Sequence, residues 1–241
     1  MEEKEPKIVL GKSMPMWLKA LIFAVIATSL TIALKKCIFD KKETKPVNQA
    51  LWDGIRKRAS NPFNVASVDS GVRLLRTGDV VVRRGGDATS AMLCLLNQQE
   101  KFYSHCGLVV VENGYPFIYH SIGGEDNPNE RMQRDSAGKW FSPANNLGFG
   151  IARLDVPEEK KSSIASVVRD FYKKGLRFDM KFDINTDDRL YCAEMVYKAV
   201  DKALDDPDYF QPISIWGHRF IGIDNLYLSK HAQLICQVRF K

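Results

Sequence analysis

His105, in Tyr103-Ser104-His105-Cys106-Gly107, and Cys192, in Leu190-Tyr191-Cys192-Ala193-Glu194, are the two residues of this 241-residue chain whose types suit nucleophilic chemistry. An imidazole base can turn a thiol into a thiolate, the form that attacks a carbonyl carbon. If the two groups meet, the chain is a cysteine hydrolase. Cys192 lies in the first turn of an expected helix, where unpaired N–H groups and the helix dipole favour an anion. Its own N–H is placed to donate to an oxyanion. The same position equally suits a small buried side chain on an amphipathic helix, the common fate of a free cysteine.

The elements that must position these groups follow from the pattern of apolar residues. Asp79 to Arg83 reads as a strand closed by Gly85-Gly86-Asp87, with Thr89 capping a helix through Leu96. Cys106–Val111 and Pro116–Ser121 read as two strands joined across Glu112-Asn113-Gly114-Tyr115, and Asn-Gly between apolar runs is a strong hairpin signal. A two-residue or four-residue loop sets Val111 opposite Pro116 and Gly107 opposite His120, making His105 and His120 diagonal neighbours on one face. A three-residue loop would part them. In the first register His105 is the base for Cys192, and His120 orients it through the other ring nitrogen. Residues 122–148, rich in Gly, Asn, Asp and Pro, read as a long surface loop, and Phe149–Leu154 as a further strand. A helix opens around Pro157 and ends at Gly175. A second starts near Tyr191, carries Cys192, Met195, Val196, Ala199, Val200 and Ala203 on one stripe, and stops at Asp205-Asp206-Pro207.

Tyr191, Ser104 and Asp79 are the further candidates for contacting substrate or an oxyanion. Tyr191 serves equally as packing, Asp79 equally as a turn stabiliser, and Glu194 as a charge favourable to the helix dipole. A metal bound by His105, His120 and Cys192 is disfavoured, because Cys106 points to the other face and no close carboxylate completes the ligand set. Neither metal nor organic cofactor is expected. His218 and His231 stand in a late mixed segment and read as surface or packing residues.

Composition narrows the classes. The net charge of +6 owes much to the first 45 residues, which hold nine Lys against five acidic residues. The rest is nearly balanced and has no basic stripe interleaved with aromatics, so nucleic acid is excluded as a partner. Five cysteines without CxxC spacing argue against a disulfide framework or structural zinc. Met14–Leu34 carries a single charge, Lys19, and matches the ~20 apolar residues of a spanning helix, so a single-pass membrane anchor is expected. Lysines flank it on both sides, and the positive-inside rule leans only weakly toward a cytoplasmic C-terminal side. The expected organisation is a tail over 1–13, the anchor over 14–34, a juxtamembrane linker with a short helix over 35–74, and one domain over 75–241.

Gly78-Asp79-Val80-Val81, Tyr103-Ser104-His105-Cys106-Gly107, Gly175-Leu176-Arg177-Phe178-Asp179 and Tyr191-Cys192-Ala193-Glu194, in that order, resemble the circularly permuted branch of the NlpC-type papain-like superfamily, in particular the YaeF/YiiX-like amidases. The resemblance covers roughly Leu75 to Val238. It implies an α+β permuted papain-like fold, an antiparallel sheet or barrel packed on helices, with the histidine-bearing strands first and the cysteine helix late. It implies Cys192 as nucleophile, His105 as base and His120 as third polar residue, and it places the catalytic domain outside the cytoplasm. Many members carry a carboxylate or amide at the third position; the related lecithin retinol acyltransferase group has histidine there. The expected function is a membrane-anchored cysteine hydrolase cleaving a peptide, acyl-amide or lipid substrate through an acyl-enzyme. A catalytically silent peptide- or lipid-binding domain and a lipid acyltransferase or thioesterase are the alternatives.

Overall fold

In the computed structural model, residues 45–123, 127, 129–215 and 217–241 are described. The chain divides into two units, 1–52 and 53–241, and the architecture below is that of the second. The elements run α1 (Lys45–Ser60), whose residues 45–52 belong to the first unit, then α2 (Pro62–Leu74), β1 (Val80–Gly85), α3 (Ala88–Leu93), β2 (His105–Glu112), β3 (Tyr115–His120), β4 (Gln133–Ser136), α4 (Ala137–Trp140) and β5 (Asn146–Leu154). They continue with α5 (Glu158–Lys174), α6 (Cys192–Leu204), β6 (Ile213–Ile215), β7 (His218–Phe220), α7 (Ile223–Tyr227) and β8 (Ala232–Arg239). Six strands form one sheet in the order β4-β3-β2-β1-β5-β8, every neighbouring pair antiparallel. The fold is thus mixed α+β, with an antiparallel sheet packed on helices.

β2 is nearly continuous in apolar residues because both of its faces are covered. Leu108 and Val110 join the cluster built on α5 and α6, with Val168, Met195, Val196 and Ala199. Val109 faces the opposite way, into a cluster with Trp140, Phe141, Phe149 and Ile151 that Val68 and Val72 of α2 also touch. Burying these runs is the main drive for the sheet.

The hairpin has its expected two-residue turn. Glu112 pairs with Tyr115, and Asn113 and Gly114 between them have φ of 50° and 84°, the pair of positive values that matches strand twist. The resulting register, Leu108 with Tyr119 and Val111 with Pro116, extends to Gly107 opposite His120. There a Cβ on Gly107 would lie 2.7 Å from Ile118 Cγ2, 2.8 Å from Tyr119 O and 3.2 Å from His120 Cβ. Gly107→Ala therefore forces β3 and His120 aside and is expected to cost about 1–3 kcal/mol. A urea-unfolding midpoint equal to wild type would contradict that.

Several expectations are corrected. Asp87, not Thr89, caps α3, accepting the Ser90 N–H at 2.8 Å. Residues 62–74 are helical rather than linker: Asn61 accepts the Phe63 N–H at 2.9 Å, and Pro62 occupies a first-turn position where no N–H is needed. The stretch 122–148 is not all loop, since β4 pairs with the outer edge of β3 and α4 follows it. That edge would otherwise expose unpaired backbone groups, and its cover can be polar because one side meets solvent. The single-pass membrane localisation is also corrected. Among the described residues no helix is long and apolar enough to cross a membrane, and the segment 14–34 on which it rested lies outside the described residues, as do the tail over 1–13 and residues 35–44.

Candidate functional site

β2 begins at His105 and β3 ends at His120, so the register carries both imidazoles to one end of the sheet. His105 Nε2 lies 3.0 Å from His120 Nδ1, and both rings are buried. His120 Nε2 lies 3.3 Å from Asp135 Oδ2 on β4. Trp140 of α4 walls the pair, its ring centroid 5.1 Å from that of His105 and 4.6 Å from that of His120. The Arg83 guanidinium stacks over the indole at 4.4 Å.

Electrostatics fix the proton positions. Burial would raise the Asp135 carboxyl, but hydrogen bonds from His120 and Lys139 hold it down at about 2, so it is an ionised acceptor. Burial lowers His120 to about 4 against the pull of Asp135, and lowers His105 well below the usual imidazole range with help from the Arg83 and His120 charges. Both rings are then neutral near pH 7. A neutral His120 facing a carboxylate keeps its proton on Nε2 and accepts at Nδ1. His105 must donate from Nε2, which leaves its Nδ1 as a lone pair: a base oriented by an imidazole and a carboxylate in series.

These depressed values set a pH dependence. Between about 6.5 and about 4 the unfolded chain binds protons that the folded His120 refuses, so stability falls as pH drops through that window. Histidine Cε1–H shifts followed by NMR should show His120 neutral down to about pH 5. A midpoint near the ordinary imidazole value would contradict the burial and pairing described.

Cys192 opens α6. Tyr191 is the N-cap residue, and Glu194 accepts its N–H at 3.0 Å. A hydrogen bond from the Cys106 thiol lowers the Cys192 pKa; burial opposes this, and the N–H groups of Cys106, Ala193 and Cys192 itself add to the lowering. Burial pushes Cys106 well above its usual value, and Cys192 adds to that. The structure therefore brings His105 to His120 and brings Cys192 to Cys106, one residue along β2 from His105. Alternation along the strand sends the two partners to opposite faces, Cys106 toward α6 and His105 toward Trp140. A second tie holds the start of α6 near the imidazoles: Ser121, next to His120, donates its hydroxyl to Leu190 O at 2.5 Å.

The other sequence candidates have structural partners. Ser104 accepts the Gly85 N–H at 3.1 Å, Tyr191 OH accepts the Ile221 N–H at 2.9 Å, and the Tyr191 ring stacks on Phe220. Asp79 accepts from Arg153 through both oxygens, at 2.9 Å each, and from the Arg76 N–H at 2.8 Å. Glu194 is buried, which raises it to about 7 against the pull of Lys198. Asp179 accepts the Lys181 and Asp183 N–H groups at 2.8 and 2.6 Å, and Gly175 is the left-handed cap of α5. His231 stacks on Tyr209, away from the imidazole pair; the side chain of His218 lies outside the described residues. Sequence reasoning missed Asp135 and Trp140. The only available signal was the short run Gln133-Arg134-Asp135-Ser136 just before the apolar pair Trp140-Phe141.

No family model matches the chain. Over 131 residues, 54% of its length, it is 22% identical to the uncharacterized protein YiiX of Escherichia coli K12, and the match spans 59% of that relative. A crystal structure of the metalloprotein YiiX from Escherichia coli O157:H7 superposes with a TM-score of 0.56 at 17% identity, covering 68% of this chain and 98% of that one. Among the described residues here, no group of three or more His, Cys, Asp or Glu is arranged to hold a metal ion. The facing imidazole nitrogens are spent on their mutual hydrogen bond and are not open to a metal ion. The chain is homologous to YiiX and shares the fold of its crystal structure.

Proposed function

We propose that the chain is a cysteine hydrolase of the permuted papain-like type, cleaving an amide, peptide or acyl-amide, through an acyl-enzyme on Cys192. His105 Nδ1 is the base, with His120 and Asp135 as the orienting series behind it. The observation that carries the reading is this relay, which leaves a basic lone pair on the residue adjacent to Cys106, the partner of Cys192. A thiol lowered by hydrogen bonds at a helix N-terminus completes the requirement for a nucleophile. The N–H groups of Cys192 and Ala193 would receive the oxyanion of the tetrahedral intermediate. Base action requires the Cys192 sulfur to turn from Cys106 toward His105 Nδ1.

That last requirement favours one rival, a silent peptide- or lipid-binding domain of the same fold in which Cys192 simply packs on Cys106. Alkylation with iodoacetamide at mildly acidic pH separates the two. The enzyme reading expects Cys192 to be modified well ahead of Cys94, Cys106 and Cys236 in peptide mapping. Labelling spread over the cysteines according to exposure alone would end it.

A further inference from the structure

The segment that leads into Cys192 is held by a clasp to which the hydrolase reading gives no role. Glu194, in the first turn of α6, is wholly buried. Its Oε2 accepts the N–H of Tyr191, the residue before Cys192, at 3.0 Å, and its Oε1 lies 3.0 Å from Lys198 Nζ, one turn further along the helix. The same ammonium lies 2.7 Å from Asp187 Oδ1 and donates to Thr186 O, both in the loop that precedes α6. An ammonium has three N–H donors, and here three oxygens surround it. Loop, N-cap residue and second helical turn thus close into one ring around the Leu190-Tyr191-Cys192 segment. Asp187 is 92% exposed and adds little, but the Glu194 side chain is 0% and that of Lys198 15% exposed. Burying two charges is costly, and packing alone would be served as well by apolar residues.

We propose that Glu194 and Lys198 are positioning residues for the Cys192 nucleophile: the carboxylate fixes the start of α6, and the ammonium offsets its charge so that a thiolate can form at the same helix end. As a statement about catalysis this rests on the Cys192 chemistry proposed above; the clasp itself does not. By taking the Tyr191 N–H, Glu194 leaves those of Cys192 and Ala193 for the sulfur or an oxyanion. Two anions at one helix N-terminus share the same partial positive charge, so an ionised Glu194 without its partner disfavours the thiolate. The other titratable groups felt by Glu194, Tyr191 and Cys192 are Asp179 and, on β2, Cys106; together with the Tyr191 phenol, each adds negative charge when it ionises. Lys198 is the cation among them.

The rate of Cys192 alkylation by iodoacetamide, followed against pH in the full-length protein by peptide mapping, reads the thiol midpoint. Lys198→Met is expected to raise it by on the order of one pH unit, because it either strands a carboxylate beside the thiol or removes the cation outright. Glu194→Gln, whose amide oxygen still accepts the Tyr191 N–H, is expected to lower it by about half a unit. A packing defect would move both variants alike or neither. At high pH, where the thiol is fully ionised, acylation by p-nitrophenyl acetate reads placement: Glu194→Ala should lose about 10-fold, and Glu194→Gln should recover most of that. Should Lys198→Met not fold, the step from Glu194→Gln to the Glu194→Gln/Lys198→Met double variant carries the same upward shift. Midpoints that stay at the wild-type value, or that move the same way in both single variants, would overturn the proposal. Opposite shifts in a protein whose Cys192 never takes an acetyl group would leave the clasp standing and remove the hydrolase reading. An acetylated wild type with unmoved midpoints would do the reverse.

Discussion

Replacing Cys192 by Ala is expected to abolish the burst of p-nitrophenolate released from p-nitrophenyl acetate, with a rate loss on the order of 10⁴-fold. Wild type should carry one acetyl group on Cys192 when the reaction is quenched in acid and mapped. His105→Ala, which removes the lone pair at Nδ1 but leaves the thiol at its helix terminus, should lose about 10²–10⁴-fold. The split matters. A merely packed Cys192 would leave both variants acylating at the wild-type rate, whereas a nucleophile without a base would be hurt only by the first. Asp135→Asn tests the far end of the relay. An amide there can offer His120 a donor instead of an acceptor, inverting both tautomers and putting a proton on His105 Nδ1. Its loss should therefore resemble that of His105→Ala far more than its distance from Cys192 suggests.

The largest effect on stability is expected from Arg153→Met. The Asp79 carboxylate is 2% exposed and the Arg153 guanidinium 21%, and the two meet at the junction of β1, β5 and the end of α2, where Arg153 also donates to Leu74 O at 2.8 Å. Removing only the cation strands a buried carboxylate, which costs about 3–5 kcal/mol. For a unit of this size that is a fall in Tm on the order of 10 °C. Adding Asp79→Asn to the variant should return part of the loss, since the stranded charge and not the missing pair is the main cost. A single variant that melts with wild type would show that water reaches Asp79 freely.

Legibility in the sequence varied with how local each cause is. The hairpin itself was readable because Asn-Gly between two apolar runs marks a turn, and the positive φ of Asn113 and Gly114 in the structure selects the two-residue loop that sets Gly107 against His120 and so pairs the imidazoles. The start and stop of α6 were readable for the same kind of reason, since Asp205 adopts a left-handed cap just before Pro207. Asp135 was not readable. Its strand is short and polar, and only the free edge of β3, an element distant in sequence, makes it a strand. Trp140 gave no local sign that it would lie against two histidines.

The residues alone thus determined which groups could react and that His105 and His120 flank one hairpin, because turn chemistry and alternation act within a few residues, while the loop length that puts both on one face came from the structure. Only the tertiary structure decided what each group meets. The packing of α6 on β2 set the Cys192 thiol against Cys106, on the face that alternation denies to His105, and the edge pairing of β4 supplied the carboxylate that fixes both imidazole tautomers. Contacts between elements so far apart in the chain depend on how whole apolar faces are buried together, and no short stretch of sequence carries that information.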